Sequence, residues 1–254
     1  METLFASPSL AAGYARSRPE VHPRVMLRAR RLLHLGERIG CAVDVGCGAG
    51  LSTRPLAELA RVSLGVEPLE PMLAWTREVA PHSCFAVGRA EQLPVATGIA
   101  DLMTAAGSLN YADLDRFFPE ARRVLLPSGA LVVYDFSAGK RMADSPALEG
   151  WYAAFRQRYP SPPSSARPLS PELLAPLARG FRPLAHEHFE EPLLLHPDFY
   201  VDYMMTETAV AAAVRAGTDE DSIRQWCRQT VAPVFGGRPR TVLFTGYIAC
   251  FIPE

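Results

Sequence analysis

Apolar residues recur at two different spacings along the chain. Between residues 20 and 36 they stand three and four positions apart with arginines between them, which predicts an amphipathic helix. From residue 41 onward, short apolar runs of strand length alternate with helical stretches. The predicted strands are 41–45, 62–66, 84–87, 102–106 and 131–136, and the predicted helices between them are 52–60, 71–79 and 113–126. Strands separated by single helices indicate βαβ units, and hence a parallel sheet with helices on both faces.

The regular alternation ends near residue 138. Five of the 23 prolines fall within residues 160–171, which indicates a loop or linker. Two late strands are predicted at 183–195 and 241–252, with helices at 199–214 and 220–231 between them. We therefore expect one α/β domain over 1–254, a Rossmann-like, doubly wound, seven-stranded, mostly parallel sheet with an inserted helical lid. The expected core is 41–137, and the expected lid and substrate-recognition elements are 1–37 and 138–240.

Composition narrows the range of partners. The formal charge of −1, from 26 basic and 27 acidic residues, provides no field that would attract a nucleic acid. No apolar stretch approaches the roughly 20 residues that span a bilayer, so no membrane segment is expected. The five cysteines are odd in number and widely spaced, which favours neither a disulfide framework nor a zinc cluster. We expect a cytoplasmic monomer or homodimer that acts on a small molecule.

A glycine turn is the sharpest local motif. The predicted strand containing Asp44 runs into Gly46, Gly48 and Gly50 just before a predicted helix. Glycines there let the backbone approach a ligand closely, and a helix start offers unpaired N–H groups. The G-x-G-x-G spacing is not the G-x-G-x-x-G of dinucleotide-binding proteins, and the Lys and Ser or Thr of a phosphate-binding P-loop are missing.

An acid at the end of the next strand adds to this signal. Glu67 stands where a carboxylate can accept hydrogen bonds from both ribose hydroxyls of a nucleoside cofactor. The alternative is a generic tight turn followed by a surface glutamate. Turn and acid together predict a nucleoside site.

Four segments carry a family resemblance: 44–50, 67–68, 88–94 and 123–131. Together they resemble the successive motifs of class I S-adenosylmethionine-dependent methyltransferases. The closest likeness is to the small-molecule group, methyltransferase type 11, that includes ubiquinone and menaquinone biosynthesis enzymes. The likeness covers 41–137, and residues 14–19 resemble a lead-in segment of trans-aconitate methyltransferase-like proteins. It implies methyl transfer (EC 2.1.1.-) from S-adenosyl-L-methionine to oxygen, carbon or nitrogen of a small molecule.

The resemblance also implies roles for individual residues. The three glycines would face the methionine part of the cofactor and Glu67 would hold the ribose. Arg89 departs from the family pattern, which often has Asp there, and a guanidinium cannot accept a hydrogen bond from the adenine amino group. The full set implied to bind the cofactor is Asp44, Gly46, Gly48, Gly50, Glu67, Pro68, Met72, Ala90, Glu91 and Ser108.

No catalytic base is assigned, because an activated methyl donor needs one only if the acceptor must lose a proton. The candidates are His22, His186 and Asp135. No metal is expected, since His186-Glu187-His188 lacks a clear third ligand. The candidates for contact with the acceptor are Tyr14, Asn110, Tyr111, Tyr200 and Tyr203, although aromatic residues of this region can equally form a core.

Two other functions stay open from the sequence. One is a methyltransferase-like protein that binds the cofactor without transferring a methyl group, for which Arg89 is the best hint. The other is a nucleic-acid or protein methyltransferase. The segment from Asn110 lacks the Pro-Pro-aromatic run typical of enzymes that methylate base amino groups, which disfavours nucleic acid.

Overall fold

The computed structural model describes residues 8–254 and divides into two compact units. We call residues 22–136, 165–189 and 246–254 the sheet unit. The described remainder, residues 8–21, 137–164 and 190–245, we call the helical unit.

Five parallel strands form the body of the sheet unit, in the spatial order β3-β2-β1-β4-β5. They are β1 (Ile39–Val45), β2 (Ala60–Glu67), β3 (Cys84–Val87), β4 (Ala100–Ala106) and β5 (Leu125–Phe136). Each strand predicted from the apolar runs is present. Because all five run in the same direction, their carboxyl ends meet at one edge of the sheet, where ligands of such folds bind.

Three further strands complete the sheet: β6 (Arg141–Met142), β7 (Phe181–Leu195) and β8 (Arg240–Pro253). Strand β8 runs antiparallel to β5, with Leu131 opposite Phe251 and Phe136 opposite Gly246. Strand β7 also pairs with β8, and the two residues of β6 pair with Val242 and Leu243. The predicted α/β, mostly parallel sheet with an antiparallel end is therefore confirmed, with eight strands because of the short β6.

The helices of the sheet unit are shorter than predicted in two places. They are α2 (His22–Leu32), α3 (Leu56–Leu59), α4 (Glu70–Leu73), α5 (Thr76–Val79), α6 (Leu114–Val124) and α8 (Pro171–Leu174). The predicted helix 52–60 retains only α3, which begins after Pro55, a residue without the N–H that a helix interior needs. The predicted helix 71–79 is split into α4 and α5, because Trp75 N donates to Met72 O in a tighter, three-residue turn.

Helix α6 closes one face of the sheet. Its phenylalanines Phe117 and Phe118 and its Val124 are fully buried in the main apolar cluster, as a helix with one apolar stripe requires. Its first turn is capped by the Asp113 carboxylate, which accepts from the Asp115 N–H at 3.1 Å. This fixes the segment that leads out of β4.

The helical unit has a core of aromatic side chains. Its helices are α1 (Pro8–Ser17), α7 (Ala147–Arg158), α9 (Pro197–Met204), α10 (Thr208–Arg215) and α11 (Glu220–Phe235). The predicted helix 199–214 is broken into α9 and α10, because Glu207 is extended at φ −73° and ψ 141°. Trp151 packs with its ring centre 5.4 Å from Phe155 and 6.0 Å from Trp226. Within the described part of the chain, no helix is both long and apolar enough to cross a membrane.

Candidate functional site

The loop after β1 is shaped by its glycines. Gly46 and Gly48 have φ of +70° and +55°, a region that side chains disfavour. A Cβ on Gly46 would lie 2.3 Å from Ser108 Cβ, and one on Gly48 would lie 3.1 Å from Met72 Cε. Gly46 N donates to Val66 O at 2.8 Å, which ties the loop to the neighbouring strand. The loop therefore presents bare backbone at the carboxyl edge of the sheet.

Glu67 holds this loop from the end of β2. Its buried carboxylate accepts from Gly48 N and from Leu69 N, each at 3.0 Å and each at a different oxygen. An ionised carboxylate has about four acceptor positions, so each oxygen keeps one. Burial raises the pKa of Glu67, and the two N–H bonds act against that rise. The site thus offers two remaining acceptor positions on a buried acid.

Asp44, in the strand β1 that leads into the loop, stabilises the loop from the protein interior. It is fully buried and accepts hydroxyl hydrogen bonds from Ser52 at 2.6 Å, Thr53 at 2.7 Å and Thr104 at 2.8 Å. Burial raises the pKa of Asp44, and these three bonds oppose the rise. Three of its acceptor positions are used inside the protein, so its role here is to hold the turn.

The remaining predicted cofactor contacts border the same loop or the segment after β3. Met72 is buried, Pro68 is exposed and Ala90 is half-buried. The Glu91 carboxylate accepts from the Asp113 N–H at 2.8 Å, which links this segment to the start of α6. Arg89 is exposed.

Ser108 follows β4 at the edge of the glycine loop. Its hydroxyl donates to Val45 O at 2.6 Å and so satisfies a backbone carbonyl at the end of β1. The oxygen's lone pairs are not used by that bond.

Asp135 and Asn110 meet at the carboxyl ends of β5 and β4. Asn110 Nδ2 donates to Asp135 Oδ2 at 3.1 Å, and Phe136 N donates to Oδ1 at 2.8 Å. Gly107, with φ of +62°, brings the chain so close that a Cβ there would lie 3.0 Å from Oδ1. Burial raises the pKa of Asp135 against these two bonds. Tyr111, the neighbour of Asn110, is exposed.

His22 occupies the opposite face of β5. Its Nδ1 lies 2.8 Å from the Tyr134 hydroxyl, and its ring packs edge-on against Phe136 at 5.2 Å between centres. Successive side chains of a strand alternate between faces, so Tyr134 and Phe136 point away from the face of Asp135. His22 and Asp135 therefore do not share a pocket through β5.

His186 lies far along another strand. It is exposed on β7, and its neighbour His188 places Nε2 3.6 Å from the exposed Glu172 carboxylate. In the described residues, no group of three His, Cys, Asp or Glu side chains could hold a metal ion.

Three of the predicted acceptor contacts lie in the helical unit. Tyr200 and Tyr203 are fully buried, and the Tyr200 hydroxyl donates to Gly139 O at 3.1 Å. The half-buried Tyr14 carries the Arg18 guanidinium 4.3 Å above its ring centre, and Tyr203 lies 5.2 Å from the same group. Tyr200 and Tyr203 thus form part of the aromatic core of that unit, and their contact with an acceptor stays a prediction.

Sequence reasoning missed Tyr247, which stands opposite Asp135 in the pairing of β5 and β8. It lies within an apolar strand pattern that gives a tyrosine no distinguishing signal. Only the strand register places it beside the acid.

Comparison with known proteins agrees with this geometry. Residues 43–133 match the methyltransferase domain family. That segment contains the glycine loop, Glu67, Ser108 and Asn110. By this match, residues 43–133 form a methyltransferase domain of the class I S-adenosylmethionine-dependent type.

Individual methyltransferases are similar over part of their length. An uncharacterised methyltransferase of Mycobacterium tuberculosis is 30% identical over 128 residues, 48% of this chain and 49% of that protein. The ubiquinone/menaquinone biosynthesis C-methyltransferase of Acidiphilium cryptum is 41% identical over 68 residues, 26% of this chain and 27% of that protein. The chain thus spans about half or less of these curated relatives.

One solved structure is similar over nearly the whole chain. It is a protein of Anaeromyxobacter dehalogenans, provisionally described as a type II methyltransferase. The identity is 25% and the TM-score 0.67, covering 94% of this chain and 99% of that one. The likeness includes the regions outside the methyltransferase motifs.

Proposed function

We propose that this protein transfers a methyl group from S-adenosylmethionine to a small-molecule acceptor. One observation supports this most strongly: the buried Glu67 carboxylate accepts from the N–H groups of Gly48 and Leu69, and within residues 8–254 each of its oxygens keeps one acceptor position. A carboxylate so placed beside a glycine loop matches a ribose with two neighbouring hydroxyls.

The residues of the loop fit the rest of this cofactor. Bare backbone at Gly46 and Gly48 accommodates the methionine part closely, since a Cβ at either position would meet Ser108 or Met72. Met72 supplies buried apolar surface for the adenosine. When bound, S-adenosylmethionine supplies a methyl group already activated on a sulfonium, so the protein contributes mainly alignment and exclusion of water.

Asp135 is the base candidate that the structure favours. It sits with Asn110 at the carboxyl edge next to the strand end that carries Ser108. His186 is exposed on β7, and His22 faces the other side of β5. A carboxylate at this edge can accept the proton of a hydroxyl or amine acceptor as the methyl group is transferred. A carbon or nitrogen acceptor that has no proton to lose would not need this base.

A small acceptor fits the charge of the protein. With a net charge of −1, the chain lacks the basic excess that holds a nucleic acid. We place acceptor selectivity outside the glycine loop, since that loop serves the cofactor, and the exposed Tyr111 beside Asn110 is the candidate contact of the sheet unit.

Calorimetry with S-adenosylhomocysteine tests the cofactor assignment. Wild-type protein should bind it and should not bind NADH. Glu67→Ala should weaken binding by about 1 to 3 kcal/mol, because the ribose hydroxyls lose a charged partner. Glu58→Ala removes an exposed carboxylate of α3 and should leave binding unchanged. Tight NADH binding without response to S-adenosylhomocysteine would refute the assignment.

Labelled S-adenosylmethionine with a metabolite extract, followed by mass spectrometry, tests the transfer itself. A labelled small molecule is expected. Cofactor binding without any labelled product would instead favour a non-methylating protein, and label on RNA or protein would favour a macromolecular acceptor.

A further inference from the structure

Tyr247 carries an unused hydroxyl inside the sheet unit. The residue is only 8% exposed and belongs to the apolar cluster that also contains Leu109 and Ala112. Throughout residues 8–254, no group forms a hydrogen bond with this hydroxyl. Buried hydroxyls are normally paired, because an unpaired one loses the hydrogen bonds that water would have made. A polar group retained here without a partner points to a ligand.

The strand register shows where this hydroxyl belongs. Tyr247 lies directly opposite Asp135 in the antiparallel pairing of β5 with β8, so both side chains stand on the same face. The strands are in close contact there, since a Cβ on Gly246 would lie 2.3 Å from Asp135 O. Tyr247 therefore stands at the same carboxyl edge as Asp135 and Asn110.

The surroundings keep the Tyr247 hydroxyl protonated. Burial raises its pKa above the ordinary tyrosine value, and the negative charge of Asp135 acts in the same direction. Tyr247 is thus a hydrogen-bond donor at neutral pH. Asp135 beside it is an acceptor, with two of its positions used by Asn110 and Phe136.

We infer that Tyr247 is an acceptor-positioning residue, which donates its free hydroxyl to one oxygen of the methyl acceptor while Asp135 faces a neighbouring O–H. This rests on the proposed function and adds a substrate class to it. Tyr247 is a hydrogen-bond donor and Asp135 beside it is a hydrogen-bond acceptor. Together they select a molecule with the complementary pair of groups, namely a hydroxyl next to a second oxygen. An isolated hydroxyl would satisfy only one of the two.

The transfer balances with these two residues. The acceptor oxygen forms a bond to the methyl carbon while the bond between that carbon and sulfur breaks, and the sulfur keeps the electron pair. The proton of the acceptor hydroxyl passes to the Asp135 carboxylate. Tyr247 keeps its own proton and fixes the second oxygen, so its loss should affect alignment and leave the chemistry of the proton transfer unchanged.

Tyr247→Phe tests the inference, with catechol and its isomer hydroquinone as acceptor probes. Both carry two phenolic hydroxyls, but only catechol places them on neighbouring carbons. Wild-type protein with labelled S-adenosylmethionine should methylate catechol faster than hydroquinone. In Tyr247→Phe the kcat/KM for catechol should fall at least about tenfold and the preference should disappear. Phe251→Leu, which alters a buried ring of the same strand outside the candidate site, should retain the preference.

Stability separates positioning from packing. Because the hydroxyl has no partner inside the protein, Tyr247→Phe should keep or raise the melting temperature and should retain the affinity for S-adenosylhomocysteine. The inference is overturned if the variant methylates both probes as wild type does, if catechol has no advantage, or if neither phenol is methylated while S-adenosylhomocysteine binds. If S-adenosylhomocysteine does not bind to the wild type, the proposed function fails and the inference falls with it.

Discussion

Glu67 at the end of β2 accepts a hydrogen bond from the backbone N–H of Gly48 in the loop after β1, at 3.0 Å. The two residues stand 19 positions apart, and the parallel pairing of Asp44 with Gly65 and Val45 with Val66 brings their strand ends together. The acid therefore fixes the glycine loop within the protein. In the proposed function, its remaining acceptor positions would accept from the ribose hydroxyls.

A Gly48→Ala substitution tests the need for bare backbone in this loop. The φ of +55° strains any L side chain, and the new Cβ would lie 3.1 Å from Met72 Cε. We expect a loss of about 1 to 2 kcal/mol of stability from the strain and weaker binding of S-adenosylhomocysteine. Calorimetry and urea unfolding measure the two effects.

Gly150→Ala is the matched control for that substitution. Gly150 lies inside α7, and apart from its own helix backbone and chain neighbours, residues 8–254 place no atom within 4 Å of an added Cβ. There the alanine should stabilise the protein by about 0.5 to 1 kcal/mol and leave cofactor affinity unchanged. Equal behaviour of the two variants would show that the conformation of Gly48 has no special role.

Cofactor affinity should depend on pH through Glu67. Burial raises its pKa in the folded protein, and only the ionised carboxylate accepts at both oxygens. The affinity for S-adenosylhomocysteine should therefore fall as the pH falls through a value above about 4.3, the ordinary glutamate pKa. Glu67→Gln should bind more weakly at neutral pH and lose this pH dependence, which calorimetry at several pH values can establish. A wild-type affinity that is constant down to pH 4 would contradict the assignment.

The sheet was predictable because its strands are signalled locally. Each of the five apolar runs is bounded by turns or helices, and the right-handed crossover rule leaves few ways to connect parallel strands. The failure at 52–60 arises from tertiary structure: the Ser52 and Thr53 hydroxyls bind Asp44, and Pro55 delays the helix. Helical periodicity cannot reveal such bonds to a neighbouring strand.

The part of the site that lies within local sequence motifs was predictable. Glu67 and the glycines stand within one βαβ unit, so their proximity follows from short-range pattern. Tyr247 lies more than 100 residues after Asp135 in sequence, and its position opposite that residue depends on the register of an antiparallel strand. No local pattern encodes that register, which is why the donor beside the acid was not foreseen.

Asp44 should contribute to stability more than to the chemistry. It is buried and accepts from three hydroxyls, so Asp44→Asn replaces one acceptor oxygen by a donor group. We expect urea unfolding to show a loss of about 1 to 3 kcal/mol. Thr104→Val removes one of the three bonds and should cost less, about 1 kcal/mol. An Asp44→Asn variant as stable as wild type would show that these bonds do not hold the turn.

The decline of methyl-transfer activity at low pH, the acid limb of its pH profile, should reflect protonation of Asp135. Burial raises its pKa in the folded protein, and a base must be ionised to accept a proton. Activity on a hydroxyl acceptor should therefore decline as the pH falls through a value above about 3.9, the ordinary aspartate pKa. Asp135→Asn should reduce kcat at neutral pH and remove this limb, while S-adenosylhomocysteine affinity is retained. A limb that persists in the variant would assign the base to another group.

Substitutions of Tyr203 and Tyr14 distinguish a core residue from a residue that contacts the methyl acceptor. The Tyr203 ring is fully buried, with Tyr200 at 6.0 Å and Phe244 at 6.2 Å between centres and the Arg18 guanidinium at 5.2 Å. Tyr203→Ala should therefore lower the free energy of unfolding by about 3 to 5 kcal/mol, as truncation of a large buried aromatic side chain does.

Tyr14→Ala removes a half-buried ring and should lower the free energy of unfolding by less. If Tyr14 contacts the acceptor as predicted, its variant should lose turnover while keeping S-adenosylhomocysteine affinity and most of its stability. Unfolding and calorimetry on both variants decide this, and turnover unchanged in Tyr14→Ala would remove that residue from the acceptor site.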